Sequence, residues 1–356
     1  MATEDARYRQ SSQYRLWTFT PSHLNTLREK TNALAETHIS NRLRASGPSP
    51  ATDSLPQFLT PAEEYELLNY FIVETMRAAS YAKLTTDMMA TAVIFLRRFY
   101  TTNSLMTYPP QELLKTSLFF ASKAEGYFGN AGKIAAVFGS SSEAILAAEY
   151  VLCQGIRFAF DVKHPFRALE GLIMDLKRQA GFSGERIGRA HKRARAILKF
   201  SPLLTDAYFH YTPSQIAYAA LSMADDELIQ HMLQAAFAGQ GEDVKEKVWR
   251  VIQSCKAMLD KEPPETMASY QDDKAKIDHF KKLRRKLNKC RDPDRVNLVA
   301  LQKARREQAA QKSKAKPTVE SDENVFGNGT GGERESKRRK VAAGGDPFGP
   351  PLGAPL

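Results

Sequence analysis

Two stretches between Thr85 and Gly126 constrain this chain more than any others. Met88–Leu96 and Leu113–Ser122 are apolar almost all the way round a helix, with few of the polar positions that would give either one a water-facing side. A helix in a surface layer shows a single apolar stripe, whereas a helix apolar on all faces has to be surrounded by others. The two stretches are separated by the breaker Thr107-Tyr108-Pro109-Pro110. Together they predict the centre of an all-helical domain. Lys123, at the end of the second stretch, is a cation at the rim of that centre and a candidate contact for something outside it.

The rest of the chain arranges itself around this centre. Thr20 followed by Pro21 predicts a helix over about 21–37, and the Gly and Pro residues of 44–56 predict a linker. Thr60-Pro61-Ala62-Glu63 is a capping box with proline at the first helical position. The helix it opens carries Tyr65, Leu68, Ile72 and Met76 at helical spacing. A short helix near 132–138 and a longer one over 141–155 follow, which makes five helices between 60 and 158. His164-Pro165 restarts the pattern. Helices are predicted over 165–180, 185–200, 213–224, 226–238 and 244–259, separated by Gly181, Gly184, Pro202, Gly239 and Gly241. No strand-like alternation of useful length occurs. A last helical region is predicted over 270–289, resuming over 294–312. Five segments result: 1–56 with one helix and the linker, 57–161 and 162–262 as two helical repeats, 263–316 as a basic helical region, and 317–356 as a tail. The tail is too poor in large apolar residues to offset its ordering entropy and is expected to be disordered.

A formal net charge of +11 on 356 residues would point to nucleic acid if it covered a folded surface. It does not. Residues 271–316 hold sixteen Lys or Arg against six Asp or Glu, a net +10. The repeats are therefore close to neutral. The three cysteines, Cys153, Cys255 and Cys290, are scattered. They suit a reducing compartment and form no zinc motif. The apolar runs are too short to span a bilayer, and Met1–Asp5 lacks the apolar core of a signal peptide. No phosphate-binding loop, dinucleotide fingerprint, zincin helix or nucleophile elbow is present, and the seven histidines do not cluster. An enzyme, a metal or a cofactor is not expected.

The features that remain are interaction features. Glu149 lies inside Ala147–Leu152, and a carboxylate among apolar neighbours needs a partner. An ion pair with Lys123 that closes the bundle, and a joint grip by both residues on a docked helix, are equally supported by the residues alone. Phe119, Phe120 and Phe158 are of a type found more often in a core than at an interface. Lys281–Lys286 reads as a charged helix face, with phosphate contact as the alternative. Lys337, Arg338, Arg339 and Lys340 fit a nuclear import signal; a solvated charge run is the plainer reading.

Phe95–Tyr100 and Phe120–Glu125 resemble the two motifs of the cyclin box, and Glu149, nine residues before Phe158, lies where that family keeps its paired glutamate. Ser11–Phe19, Pro165–Gly171, Asp175-Leu176-Lys177, Leu204–Tyr208 and Tyr211–Ala217 narrow the resemblance to the transcriptional cyclins of the CDK-activating trimer. It covers about residues 11 to 260. The resemblance implies an all-α fold of two tandem five-helix cyclin-box repeats with flanking N- and C-terminal helices. It implies a non-catalytic nuclear subunit that activates a cyclin-dependent kinase, with a RING-finger assembly subunit and the transcription factor IIH core as further partners. No direct nucleic-acid binding and no membrane association are expected. Lys123 and Glu149 would grip the backbone of the kinase's regulatory helix, with Phe120 and Phe158 as apolar contacts beside them. Two positions depart from the family pattern: Gly126 replaces an acidic residue and Ala124 a larger apolar one. An alternative of another class, a DNA-binding transcription factor with tandem cyclin repeats, would carry a zinc ribbon, and this chain has no paired cysteines for one.

Overall fold

The computed structural model describes residues 4–45, 55–127, 131–179, 181–237 and 242–314, all helix and connecting turns with no strand among them. The tail from 317 and its basic run at Lys337–Lys340 lie outside the described residues, as does most of the expected linker. The chain divides into a unit over Met1–Lys303, described below, and a second unit from Ala304 onward.

Two short helices, α1 (Glu4–Gln10) and α2 (Ser12–Trp17), precede α3 (Pro21–Ala45). α3 runs past its expected end near Thr37 because Ile39, Ser40 and the partly buried Leu43 continue its core-facing side. The first repeat comprises α4 (Pro61–Tyr81), α5 (Thr86–Thr102), α6 (Pro110–Ala124), α7 (Ala131–Val137), α8 (Ser142–Ala147) and α9 (Glu149–Gly155). The capping box at the start of α4 is formed: Glu63 N–H donates to Thr60 Oγ1 at 3.2 Å and Thr60 N–H to Glu63 Oε2 at 2.8 Å. α5 and α6 sit at the centre, and Ala90 to Leu96 are at most intermediate in exposure on every side.

The single helix expected over 141–155 is in fact two, broken at Ala148. Thr116 Oγ1 on α6 donates to the Ile145 carbonyl at 2.8 Å. This bond ties α8 to the centre just before the break.

The second repeat comprises α10 (Phe166–Arg178), α11 (Gly184–Leu198), the single turns α12 (Ser201–Leu204) and α13 (Ala207–His210), α14 (Pro213–Ala224), α15 (Asp226–Ala236) and α16 (Glu242–Leu259). α14 is its buried centre, opened by a second capping box between Thr212 and Gln215. α17 (Thr266–Asp272), α18 (Lys274–Lys289) and α19 (Leu298–Lys314) complete the order. The helix expected from Tyr270 to Lys289 breaks at Asp273, whose carboxylate accepts from the N–H groups of Ala275 and Lys276 and so starts α18 afresh. α18 lies on α4: Lys286 pairs with Glu63 at 2.7 Å, His279 with Glu66 at 2.8 Å, and Phe280 packs on Tyr70 with ring centroids 5.0 Å apart.

Consecutive arginines on α5 tie the pieces together, and each is 1% exposed. Arg97 reaches the second repeat, donating from Nε to the Leu203 carbonyl at 2.6 Å, to the Leu204 carbonyl, and to Asp206 at 3.3 Å. Arg98 turns the other way. It donates to the Ala159 carbonyl at 2.8 Å and to Gln13 Oε1 at 3.4 Å, and lies over the Trp17 ring.

Candidate functional site

The four expected site residues come together on α6 and α9. α6 ends on one face with Phe119, Phe120 and Lys123; α9 begins with Glu149, and the chain leaving it carries Phe158. Lys123 Nζ and Glu149 Oε1 form an ion pair. The pair lies at the surface rather than inside the bundle, with side-chain exposures of 41% and 22%. Lys123 Nζ also sits 5.1 Å and 5.5 Å from the ring centroids of Phe119 and Phe120, so its charge is held over aromatic faces.

The phenylalanines divide between support and surface. Phe119 and Phe120 are buried, at 5% and 8% exposure, and Phe120 packs between Phe95 and Phe160. Phe158 is 58% exposed and meets the edge of Phe160. Phe120 is thus the base on which an exposed aromatic pair stands. Sequence reasoning missed Leu146 on α8, Tyr150 next to Glu149 on α9, and Phe160 against Phe120 and Phe158, which are 39%, 54% and 38% exposed. Their signal is large apolar residues flanking a lone charged pair, but burial alone distinguishes them from core residues.

Phe158 is held out by the backbone. Arg157 and Phe158 both adopt left-handed conformations, with φ of 55° and 54°. This region costs roughly 1–2 kcal/mol per non-glycine residue. The N–H groups of both residues cap the end of α9, donating to the Gln154 and Cys153 carbonyls at 2.9 Å each. Arg98 fixes the following carbonyl, Ala159, and the Arg157 guanidinium lies over Trp17. Strain kept in place by several contacts and aimed at presenting an apolar ring to water is a signature of a binding surface.

Behind the site a chain of hydrogen bonds runs into the second repeat. The Glu125 carboxylate can only accept, so Thr91 Oγ1 donates to it. Thr91 therefore accepts from His164 Nε2–H at 2.8 Å, and His164 Nδ1 accepts from the Tyr208 hydroxyl at 2.9 Å. Burial, with the nearby Arg98 charge adding to it, pushes the His164 pKa down to about 3, so the ring is neutral as this chain of donors requires. Beside Glu149, burial first and the Glu149 charge second push the Cys153 thiol up to about 11, which makes it unreactive. Among the described residues no group of three or more His, Cys, Asp or Glu could hold a metal ion, and no single helix is long and apolar enough to cross a membrane. The arrangement is a surface ion pair over two buried phenylalanines, with the exposed Phe158 and Phe160 beside Phe120.

The model of the cyclin C-terminal domain matches residues 164–260. Cyclin CCL1 of Saccharomyces cerevisiae is 32% identical over 251 residues, which are 66% of this chain and 62% of that protein, so the chain spans less than two thirds of this relative's length. Cyclin mcs2 of Schizosaccharomyces pombe is 30% identical over 60% of this chain and 68% of its own. Among solved structures, a chain of the CAK complex from Chaetomium thermophilum bound to ATP-gamma-S is 50% identical with a TM-score of 0.82, covering 91% of this chain and 99% of that one. A chain of yeast TFIIK (Kin28/Ccl1/Tfb3) is 28% identical with a TM-score of 0.59, covering 71% and 100%.

Proposed function

We infer that this chain, which belongs to the cyclin family, is the regulatory subunit that binds and activates a cyclin-dependent kinase in a CDK-activating trimer of the cyclin H type. The observation that carries the reading is the surface ion pair Lys123–Glu149, with exposed Tyr150 next to Glu149 in the chain and with Phe160 and Phe158 joined to Lys123 through Phe120. When a kinase helix docks there, the pair opens. Lys123 Nζ then donates to carbonyls at the helix's end and Glu149 accepts from its free N–H groups, while Phe158 packs beside it and Phe120 supports the patch from beneath. Positioning that helix brings the kinase's glutamate to its ATP-binding lysine, which is the step a cyclin controls. The coupling is a population shift, driven by tighter binding of the cyclin to the active kinase conformation.

The same reading assigns the chain no catalysis of its own. It assigns a RING-finger assembly subunit and the transcription factor IIH core as further partners, the C-terminal repeats of RNA polymerase II and cell-cycle kinases as targets of the assembled kinase, and the nucleus as its site of action. The Kin28 and Tfb3 chains named beside Ccl1 in the yeast complex support the trimer, and the run Lys337–Lys340 supports nuclear import. Affinity purification of the full chain from its source cells, with mass spectrometry of what co-purifies, is the test. A cyclin-dependent kinase and a RING-finger protein in equal amounts are expected, and the eluate should phosphorylate a polymerase repeat peptide. Recovery of the chain without any kinase would overturn the reading.

A further inference from the structure

The basic run of α18 is not absorbed by the kinase site, and its two sides differ. The inner basic side chains are occupied: Lys286 by Glu63, His279 by Glu66, Arg284 by the Tyr70 hydroxyl at 3.3 Å, and Lys276 by the Tyr270 ring at 3.6 Å. The outer face carries Lys274, Lys281, Lys282, Arg285 and Lys289, all exposed, along roughly 22 Å of helix axis. Against these five stands Asp278, paired with Lys281 at 3.1 Å. Lys274, Lys282, Arg285 and Lys289 have no ion-pair partner among the described residues.

The arginines of α11 each face a carboxylate: Arg186 meets Asp225 and Glu227, Arg189 meets Glu185, Arg193 meets Glu265 and Arg195 meets Glu170. α18 instead keeps a row of like charges along one face. Alongside the row runs a groove of about 340 Å³ between α4, α17 and α18, lined by Tyr70, Ile277 and Phe280, with Lys281 and Arg284 at one edge and Arg77, paired with Glu74 at 2.7 Å, at the other.

We propose that the outer face of α18 and this groove dock a carboxylate-rich polypeptide segment of a partner, with an apolar side chain of that segment seated in the groove. The row of cations fits an extended chain of Asp and Glu. The groove is too small for more than a side chain or two, which gives register to an otherwise unspecific attraction. A single nucleic-acid strand held by base stacking is disfavoured because it needs open aromatic faces. Tyr270 and Phe280 are instead stacked on each other at 10° and are 6% and 5% exposed. The kinase site on α6 and α9 is built from other residues, so the two surfaces can be occupied independently.

The test uses the full chain and a fluorescein-labelled peptide of alternating Asp and Glu around one Phe, followed by fluorescence anisotropy. Saturable binding is expected, falling at least tenfold between about 50 and about 500 mM salt as charges are screened. The triple variant Lys281→Glu, Lys282→Glu, Arg285→Glu should lose binding at least tenfold while its melting temperature and kinase binding stay at wild-type values. The control variant Arg189→Glu on α11 should bind the peptide as wild type does, and replacing the peptide's Phe by Ser should weaken binding. Absence of peptide binding at low salt, full binding by the triple variant, or tighter binding of a single-stranded oligonucleotide to the same face would each overturn the proposal.

Discussion

Truncation of the ion pair tests the central assignment most directly. In the unbound chain Lys123 and Glu149 are 41% and 22% exposed, so water screens them, and an exposed pair of this kind contributes about 0–1 kcal/mol to folding. Lys123→Ala or Glu149→Ala should therefore lower the melting temperature by no more than about 3 °C. Docking a helix over the patch removes water from both groups and replaces their mutual contact with backbone hydrogen bonds. Truncating one partner of such a desolvated charged contact costs about 2–5 kcal/mol, or roughly 30- to 4,000-fold in affinity. The double variant should lose less than the sum of the two singles, because both residues act on one segment and each single variant also leaves its former partner uncompensated. Titration calorimetry against the purified kinase subunit, with differential scanning calorimetry of each variant alone, reads both quantities. Wild-type affinity in both single variants would refute the docking role. A fall in melting temperature of more than about 10 °C would show instead that the pair holds the fold.

A methyl group at Gly155 would lie 2.3 Å from the Phe99 ring, which is fully buried on α5; Gly155→Ala should cost on the order of 1–3 kcal/mol in urea unfolding by pushing α9 off the centre, and should weaken kinase binding along with it. Asp206 accepts from Arg28 at 2.9 and 2.6 Å and from Arg97, and although its burial acts to raise its pKa, these two arginines hold the carboxyl below the usual range; Asp206→Asn should lose on the order of 3 kcal/mol by leaving buried Arg97 undercompensated. His164 is neutral in the fold with a pKa of about 3, below its unfolded value, so the unfolded chain takes up the extra proton between these values and stability falls as pH drops through that window, by at most about 1.4 kcal/mol per pH unit from this group; His164→Gln should flatten the urea midpoint between about pH 4 and 6 relative to wild type.

How much of this could be read from the residues depended on whether local pattern decided the outcome. The capping box at Thr60, the all-round apolar α5 and α6, and the small apolar α14 are set by short-range sequence and stand where the pattern predicts. The break at Ala148 was not legible. Nothing in Ser141–Gly155 stops a helix, and the Thr116 hydroxyl that holds the Ile145 carbonyl beside the break comes from another helix. The single turns α12 and α13 were missed for the same kind of reason, since their carbonyls and Asp206 are ordered by Arg97 from the first repeat. Of the site, Lys123 and Glu149 stood out as charges among apolar residues. Phe158 could be named but not placed, because its exposure rests on two left-handed residues that no composition rule demands.

Arg97 and Arg98 show why core and site cannot be separated in this chain. Two adjacent arginines read as a surface pair, yet both are buried, and successive positions on a helix point about 100° apart. That divergence lets one helix reach in two directions: Arg97 fastens the second repeat, and Arg98 fastens the exit of α9 and the N-terminal segment. The cost of burying Arg98 is visible in its pKa, which burial pulls down to about 10. A buried charge is a poor way to gain stability, since an apolar residue of similar size would do as well. It is an effective way to fix geometry, because a guanidinium is satisfied only when its acceptors stand in particular places. The Ala159 carbonyl is one such acceptor, and it immediately follows Phe158. The exposed ring of Phe158 thus stands next to a carbonyl held by a buried charge of α5.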